Sequence, residues 1–220
     1  LRVIDLALRV LAAYLMGSVN GALLIGRFRG IDIRTQGSGN AGGTNALRTQ
    51  GWAFASGVIL IDVLKAVLAV RWLPNALVPA QYPLEWLAVA CGFAAVLGHV
   101  YPVFHGFRGG KGVATVLGTL LALSMPLLLG LLAIWLVMMF VFGFVGLGSM
   151  VAAASLPILV QLGAARGWLA PEEMMPLTVF GVVCAAFVIW THRSNIARMR
   201  AGTEPRARKL WLLGRLRERR

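Results

Sequence analysis

A chain of 220 residues that is 59% hydrophobic and only 13% charged, with a mean hydropathy of +0.78, lacks the charged surface of roughly a quarter of residues that a water-soluble domain carries. The composition excludes a soluble globular protein and requires lipid to solvate much of the exterior. The formal net charge of +13 is then no argument for a nucleic-acid partner, because in a membrane protein the placement of Lys and Arg among the loops carries the information.

In chain order, the first candidate span is the apolar run 3–25. It carries Asp5 and Arg9 near its start and has no basic leading segment, which reads as a retained helix rather than a cleaved signal peptide. The runs 52–70, 84–104 and 175–190 each approach or reach the roughly 20 residues that cross a bilayer as a helix. Between 113 and 162 the sequence is almost continuously apolar, and at about 1.5 Å per residue that length needs two or three crossings. The reading is an all-α polytopic membrane protein of about seven transmembrane helices, with five as the alternative. No linker or composition shift divides the chain, so residues 1–220 are expected to form a single domain.

Four of the 21 basic residues fall in 26–51, two in 105–112 and ten in 192–220, whereas the opposite loops hold Arg71 and Arg166 with Glu85, Glu172 and Glu173. Lys and Arg in short loops remain cytoplasmic. The glycine-rich loops and the C-terminus are therefore expected in the cytoplasm, the N-terminus outside, and the number of spans odd. Pro74, Asn75 and Pro79 mark one outer loop, and Ser124, Met125 and Pro126 mark another. From 198 onward the tail mixes basic residues with Leu210, Trp211, Leu212, Leu213 and Leu216. This fits either an amphipathic helix on an anionic leaflet or a solvated basic tail.

Within the second run, Asp62 and Lys65 are three residues apart and share a helix face, which suits an ion pair turned into the bundle. Cys91 and Cys184 lie in apolar runs and read as packing residues. Gly143, Gly146 and Gly148 lead into Ser149. They would allow either close helix packing or a backbone bend that brings Ser149 to a site.

Three polar clusters have no place in a merely lipid-filling sequence. In the first, Gly37-Ser38-Gly39-Asn40-Ala41-Gly42-Gly43-Thr44-Asn45 is followed by Arg48. Its glycines let backbone N–H groups approach an anion, Ser38, Asn40, Thr44 and Asn45 add side-chain donors, and a helix expected from about Thr44 adds its N-terminal dipole. Arg48, one turn on, can fork two donors onto a phosphate. The loop is neither a Walker A loop nor a dinucleotide fingerprint. The second cluster, Gly109-Gly110-Lys111-Gly112, follows His99 and Pro102 and sets one lysine among three glycines. The third is His192-Arg193-Ser194-Asn195, with Glu204 downstream. His192 and Asn195 share a helix face, and Glu204 can act either as a base or as a brace for the arginines.

The runs GSGNAGGTNALRTQG, GHVYPVFHGFRGGKGVAT and HRSNIARMRAGTE, in this order, resemble the three signature motifs of the bacterial membrane acyl-phosphate:glycerol-3-phosphate acyltransferases (PlsY). The resemblance extends to Asp62 and Lys65 within LIDVLKAV and to Glu204; Gly43 replaces the alanine usual in the family. It implies seven helices in the bacterial cytoplasmic membrane, a site facing the cytoplasm, and transfer of a fatty acyl group from acyl-phosphate to the 1-hydroxyl of sn-glycerol-3-phosphate. The products would be lysophosphatidate and inorganic phosphate, as in the first acylation of phospholipid synthesis.

By motif match, Ser38, Arg48, Lys111, His192 and Asn195 are the candidate catalytic residues. Gly39, Asn40, Thr44, Asn45, Gly109, Gly110, Gly112 and Ser149 would bind substrate, and Glu204, Asp62 and Lys65 would support them. The first motif would hold acyl-phosphate and the second glycerol-3-phosphate, with His192, Asn195 and Ser149 completing the pocket. The fifth residues after His99, His105 and His192 are Phe104, Gly110 and Ala197, so the His-x4-Asp pair of acyl-CoA-dependent enzymes is missing. A substrate phosphate oxygen is preferred to His192 as the proton acceptor. No cofactor or metal is expected, and the partners are the two substrates and membrane lipid. A monomer is compatible with all this. The alternative reading is an organophosphate or anion transporter, whose binding groups should lie near the bilayer midplane.

Overall fold

A computed structural model describes residues 2–76 and 82–213. Pro79 of the expected outer loop and Leu216 of the tail lie outside those residues. All regular structure among them is helical. In order it comprises α1 (Arg2–Gly17), α2 (Gly21–Phe28), α3 (Gly43–Gln50), α4 (Trp52–Trp72), α5 (Leu84–Val100), α6 (Val113–Leu123), α7 (Met125–Phe142), α8 (Val145–Ala165), α9 (Pro171–Thr191) and α10 (Arg193–Arg200), with three short 3-10 turns. The helices pack into two compact units, one up to Ser124 and one from Met125.

Five helices among the described residues are long and apolar enough to cross a membrane: α4, α5, α7, α8 and α9. The run 3–25 is not one straight helix. It breaks at 18–20 into α1 and α2, bent by 48°, and the pair counts as a sixth span if taken together. The break has a local cause. Asn20 caps α2, its Oδ1 accepting from the N–H groups of Ala22 and Leu23, each at 3.1 Å, and a cap of this kind starts a new helix rather than continuing the old one. The long stretch 113–162 resolves into α6, α7 and most of α8. Ser124 ends α6 with extended backbone, and Gly143, at φ 74°, ends α7.

In the first unit, glycines let backbones touch. A side chain on Gly17 would strike the backbone of Ala95, one on Gly98 would strike Tyr14 and Ser18, and one on Gly118 would strike Val63. These contacts bring α1 against α5 and α6 against α4. Arg9, only 4% exposed, pairs with Asp5 at 2.9 Å and donates to the carbonyls of Leu73 and Pro74, both at 2.7 Å. It thereby satisfies acceptors freed where α4 ends. Cys91 is buried and unbridged in this unit.

In the second unit, α8 and α9 close on each other where Gly181 faces Leu156 and Pro157, and Cys184 is likewise a buried free thiol. Residues 201–211 are not helical. The start of the tail instead docks on the turn between α7 and α8. Ala207 N–H donates to Gly143 O at 2.8 Å, and Trp211 Nε1 donates to Val141 O at 3.1 Å. The Arg206 guanidinium stacks on the rings of Trp211 and Phe144, 3.9 and 4.5 Å from their centroids, a cation–π arrangement.

Candidate active site

The first unit assembles the first two motifs on a common support. Residues 37–42 form an irregular loop that needs glycine at two points, since Gly37 and Gly39 have φ of 56° and 71°. The loop delivers its chain to α3, which starts at Gly43. Ser38, Gly39, Thr44 and Arg48 are exposed and Asn40 half-buried, so their donors line a surface open to a ligand. Asn45 is buried, and its amide serves the loop itself. Oδ1 accepts from Ser38 N–H at 2.9 Å, while Nδ2 donates to Ile33 O at 3.2 Å and Gln36 O at 3.0 Å.

The second motif is a hairpin folded back on the end of α5. Gly109 N–H donates to Val100 O at 3.0 Å and Gly110 N–H to His99 O at 3.1 Å. Pro102 and the His99 carbonyl fill the place where a Gly109 side chain would stand. A Gly110 side chain would collide with His99 Nε2 and Ala41 O, so only glycine allows this approach. Gly112, at φ 88°, opens α6, and Lys111 stands half-buried between the glycines. The structure thus brings Gly110 of the second motif against Ala41 of the first.

Two contacts that the sequence reading missed hold these loops. Asn20 Nδ2, fully buried, donates to Ala41 O at 3.2 Å. An asparagine after Gly17 and Ser18 in an apolar run is a helix-start signal that could have found it. Arg34 donates to His105 O at 3.0 Å and Arg108 O at 3.4 Å while pairing with Asp32 at 2.9 Å. The Arg34 side-chain bond holds the Asp32 carboxyl below its ordinary range. Nothing in residue spacing announces a contact over more than 70 positions.

Beneath the loops, Asp62 and Lys65 pair at 2.8 Å, both buried, and His99 Nδ1 lies 2.9 Å from Lys65 Nζ. Gly21 N–H also donates to Asp62 Oδ1 at 3.1 Å.

The second unit carries the third motif at the junction of α9 and α10. His192 is 4% exposed, and its Nδ1 donates to Val188 O at 2.8 Å, so in the neutral ring Nε2 is the acceptor. Asn195 Nδ2 donates to Glu204 Oε1 at 2.6 Å, and Glu204 Oε2 accepts from Arg198 Nε at 2.7 Å. Glu204 is buried and braces both partners. Gly146 leaves room for the Asn195 amide. Ser149 lies one turn along the same face of α8, its hydroxyl donating to Val145 O at 2.9 Å.

Comparison with known proteins gives these arrangements their context. A family model described as glycerol-3-phosphate acyltransferase matches residues 7–202. A protein of that name from Gloeobacter violaceus is 42% identical over 196 residues, covering 89% of this chain and 91% of the relative. One from Thermosynechococcus vestitus is 44% identical over 208 residues, covering 91% and 94%. Among solved structures, the integral membrane glycerol 3-phosphate acyltransferase PlsY in its glycerol 3-phosphate form aligns with a TM-score of 0.75 at 34% identity, covering 91% of this chain and 94% of that one. Its lysophosphatidic acid form aligns at 0.74 and 33% over the same shares. With a family match spanning most of its length and relatives above 40% identity, the chain belongs to the glycerol-3-phosphate acyltransferase family of integral membrane proteins.

Proposed function

We propose that this chain transfers a fatty acyl group from acyl-phosphate to the 1-hydroxyl of sn-glycerol-3-phosphate, releasing lysophosphatidate and inorganic phosphate. The hydroxyl oxygen bonds to the acyl carbonyl carbon, the carbon–oxygen bond to phosphate breaks, and the hydroxyl proton ends on phosphate. Relatives named for the acceptor substrate and a related structure in its lysophosphatidic acid form support the reaction class. The observation that carries the reading further is the contact of two glycine loops, one followed by Arg48 and the other holding Lys111. Two phosphates repel strongly in a low-dielectric site. Fixed cations and backbone N–H groups offset that repulsion and orient the reactants.

In this reading Ser38, Gly39, Asn40, Thr44 and Arg48 hold the acyl-phosphate, with Asn45 shaping their loop. Gly109, Gly110, Lys111 and Gly112 hold glycerol-3-phosphate. The third motif serves the same reaction: His192 offers a fixed acceptor to a hydroxyl, Asn195 and Ser149 contact substrate, and Glu204 braces Asn195. The phosphate of acyl-phosphate is already a leaving group and takes the proton, so His192 orients rather than abstracts. No cofactor enters the chemistry.

For the membrane, the proposal is seven crossings in the bacterial cytoplasmic membrane. The bent pair α1–α2 makes one, the five long helices five more, and α6, only 11 residues and about 16 Å, the remaining short one. The N-terminus then lies outside, and the three motifs face the cytoplasm.

The test is to offer purified protein glycerol-3-phosphate with either acyl-phosphate or acyl-CoA. Lysophosphatidate is expected from acyl-phosphate, with acyl-CoA a poor donor, since the chain has no His-x4-Asp pair. Turnover with acyl-CoA alone would overturn the donor assignment. Failure with both donors would overturn the activity.

A further inference from the structure

Asp62 and Lys65 of α4 and His99 of α5 have no role in the reaction above, yet they are 1%, 6% and 2% exposed. Burying such groups costs several kcal/mol unless each is paired and hydrogen-bonded. The Lys65 ammonium has three N–H bonds and meets three acceptors: Val19 O at 3.0 Å, Asp62 Oδ1 at 2.8 Å and His99 Nδ1 at 2.9 Å. An ammonium only donates. Asp62 Oδ1 also lies 3.2 Å from His99 Nδ1, but a proton on Nδ1 would face the ammonium's N–H at 2.9 Å. Nδ1 therefore accepts in the shorter contact, and the ring's single proton sits on Nε2. A doubly protonated ring would oppose two N–H donors at 2.9 Å. The Asp62–Lys65 pair thus carries the charge while the imidazole stays neutral in one tautomer.

That tautomer matters because of what Nε2 faces. Nε2 lies against Gly110, the residue that also meets Ala41 O. Gly110 N–H returns a hydrogen bond to His99 O, and Asn20 Nδ2 donates to Ala41 O. Gly21 N–H binds Asp62 Oδ1, so the cluster is also tied to the start of α2. One buried ring stands behind the point where the two glycine loops touch.

We propose that His99 is a positioning residue, fixed by Asp62 and Lys65 in its Nε2–H form, that sets the Gly109–Gly112 hairpin against the 37–42 loop. It thereby fixes where Lys111 stands relative to the first loop's donors. The role rests on the acyltransferase reading, in which a misplacement of about 1 Å can cost on the order of a hundredfold.

Two measurements decide it. His99→Leu removes the ring's donor, while His99→Gln keeps an N–H at about the reach of Nε2. The Leu variant should raise the KM for glycerol-3-phosphate at least about tenfold, with the Gln variant recovering most of that change. A merely structural histidine would lower kcat per milligram in both variants and leave KM unmoved, and that result overturns the role. Separately, the unsubstituted protein labelled with 15N-histidine in detergent at pH 7, with the His99 signal identified by its loss in His99→Gln, should show a protonated Nε2 and an unprotonated Nδ1. A protonated Nδ1 overturns the assignment even if the Leu variant does not fold. This readout needs no turnover, so an inactive protein with the expected tautomer would sink the acyltransferase reading and leave the lock on the ring standing.

Discussion

Arg48 follows the first glycine loop on α3 and carries a planar fork of donors that an ammonium cannot copy. Arg48→Lys keeps the charge and removes the fork. The expected outcome is a loss of kcat/KM of at least about tenfold, equivalent to about 1.4 kcal/mol of transition-state stabilisation. Steady-state kinetics with acyl-phosphate varied would measure it, and an unchanged value would mean that charge alone matters there. Single residues also mark where sequence reading stops. Asn40 and Asn45 look equivalent as amide donors in a string of glycines. The fold gives Asn45 three backbone partners, at Ser38 in the loop and at Ile33 and Gln36 just before it, and leaves Asn40 half-buried at the surface. Ser149 was legible as a hydroxyl near a glycine bend, but the bond to Val145 O depends on its helix. Glu204 as brace or base could not be decided from spacing either, because Asn195 and Arg198 reach it only once the chain turns after α10.

Among the elements, hydropathy was a sound guide to where helices run, since apolar length decides that directly. It was silent on the break at 18–20, because Asn20 acts through a local cap that mean hydropathy averages away. It was equally silent on which helices meet. Glycine positions carry that information, but only when paired with a partner backbone. Gly98 lies against the backbone of α1 at Tyr14 and Gly17, whereas a side chain on Gly57 would meet only the mobile end of Ile25. Gly98→Ala must therefore push two helices apart, at a cost of about 1–3 kcal/mol. Gly57→Ala asks one side-chain tip to turn and gains helix propensity in return. Thermal unfolding in detergent should show a clear drop in midpoint for Gly98→Ala and little change for Gly57→Ala. Equal midpoints would mean that α1 and α5 are not held at this contact.

For the molecule as a whole, composition alone placed it in lipid, and three ordered motifs carried its family. Both signals are one-dimensional, and the sequence holds them in full. The number of crossings is different in kind, because α6 is short and α1–α2 is bent, and length criteria count such elements poorly. The placement of basic residues is a separate argument, independent of how each helix is counted. Four fall in 26–51, two in 105–112 and ten in 192–220, and moving such clusters across the bilayer would be opposed at every one of these loops. If that argument holds, cysteines introduced at Asn75 and Gly167 should react with a membrane-impermeant maleimide added outside intact cells. Cysteines at Ser38 and Thr203 should react only after permeabilisation. The native thiols Cys91 and Cys184 are fully buried and should contribute little background. Labelling of Ser38 or Thr203 variants in intact cells would place a glycine loop or the tail on the wrong side, and an even number of crossings would follow if only one end were reversed. Labelling of all four positions from the same side would remove the charge argument altogether.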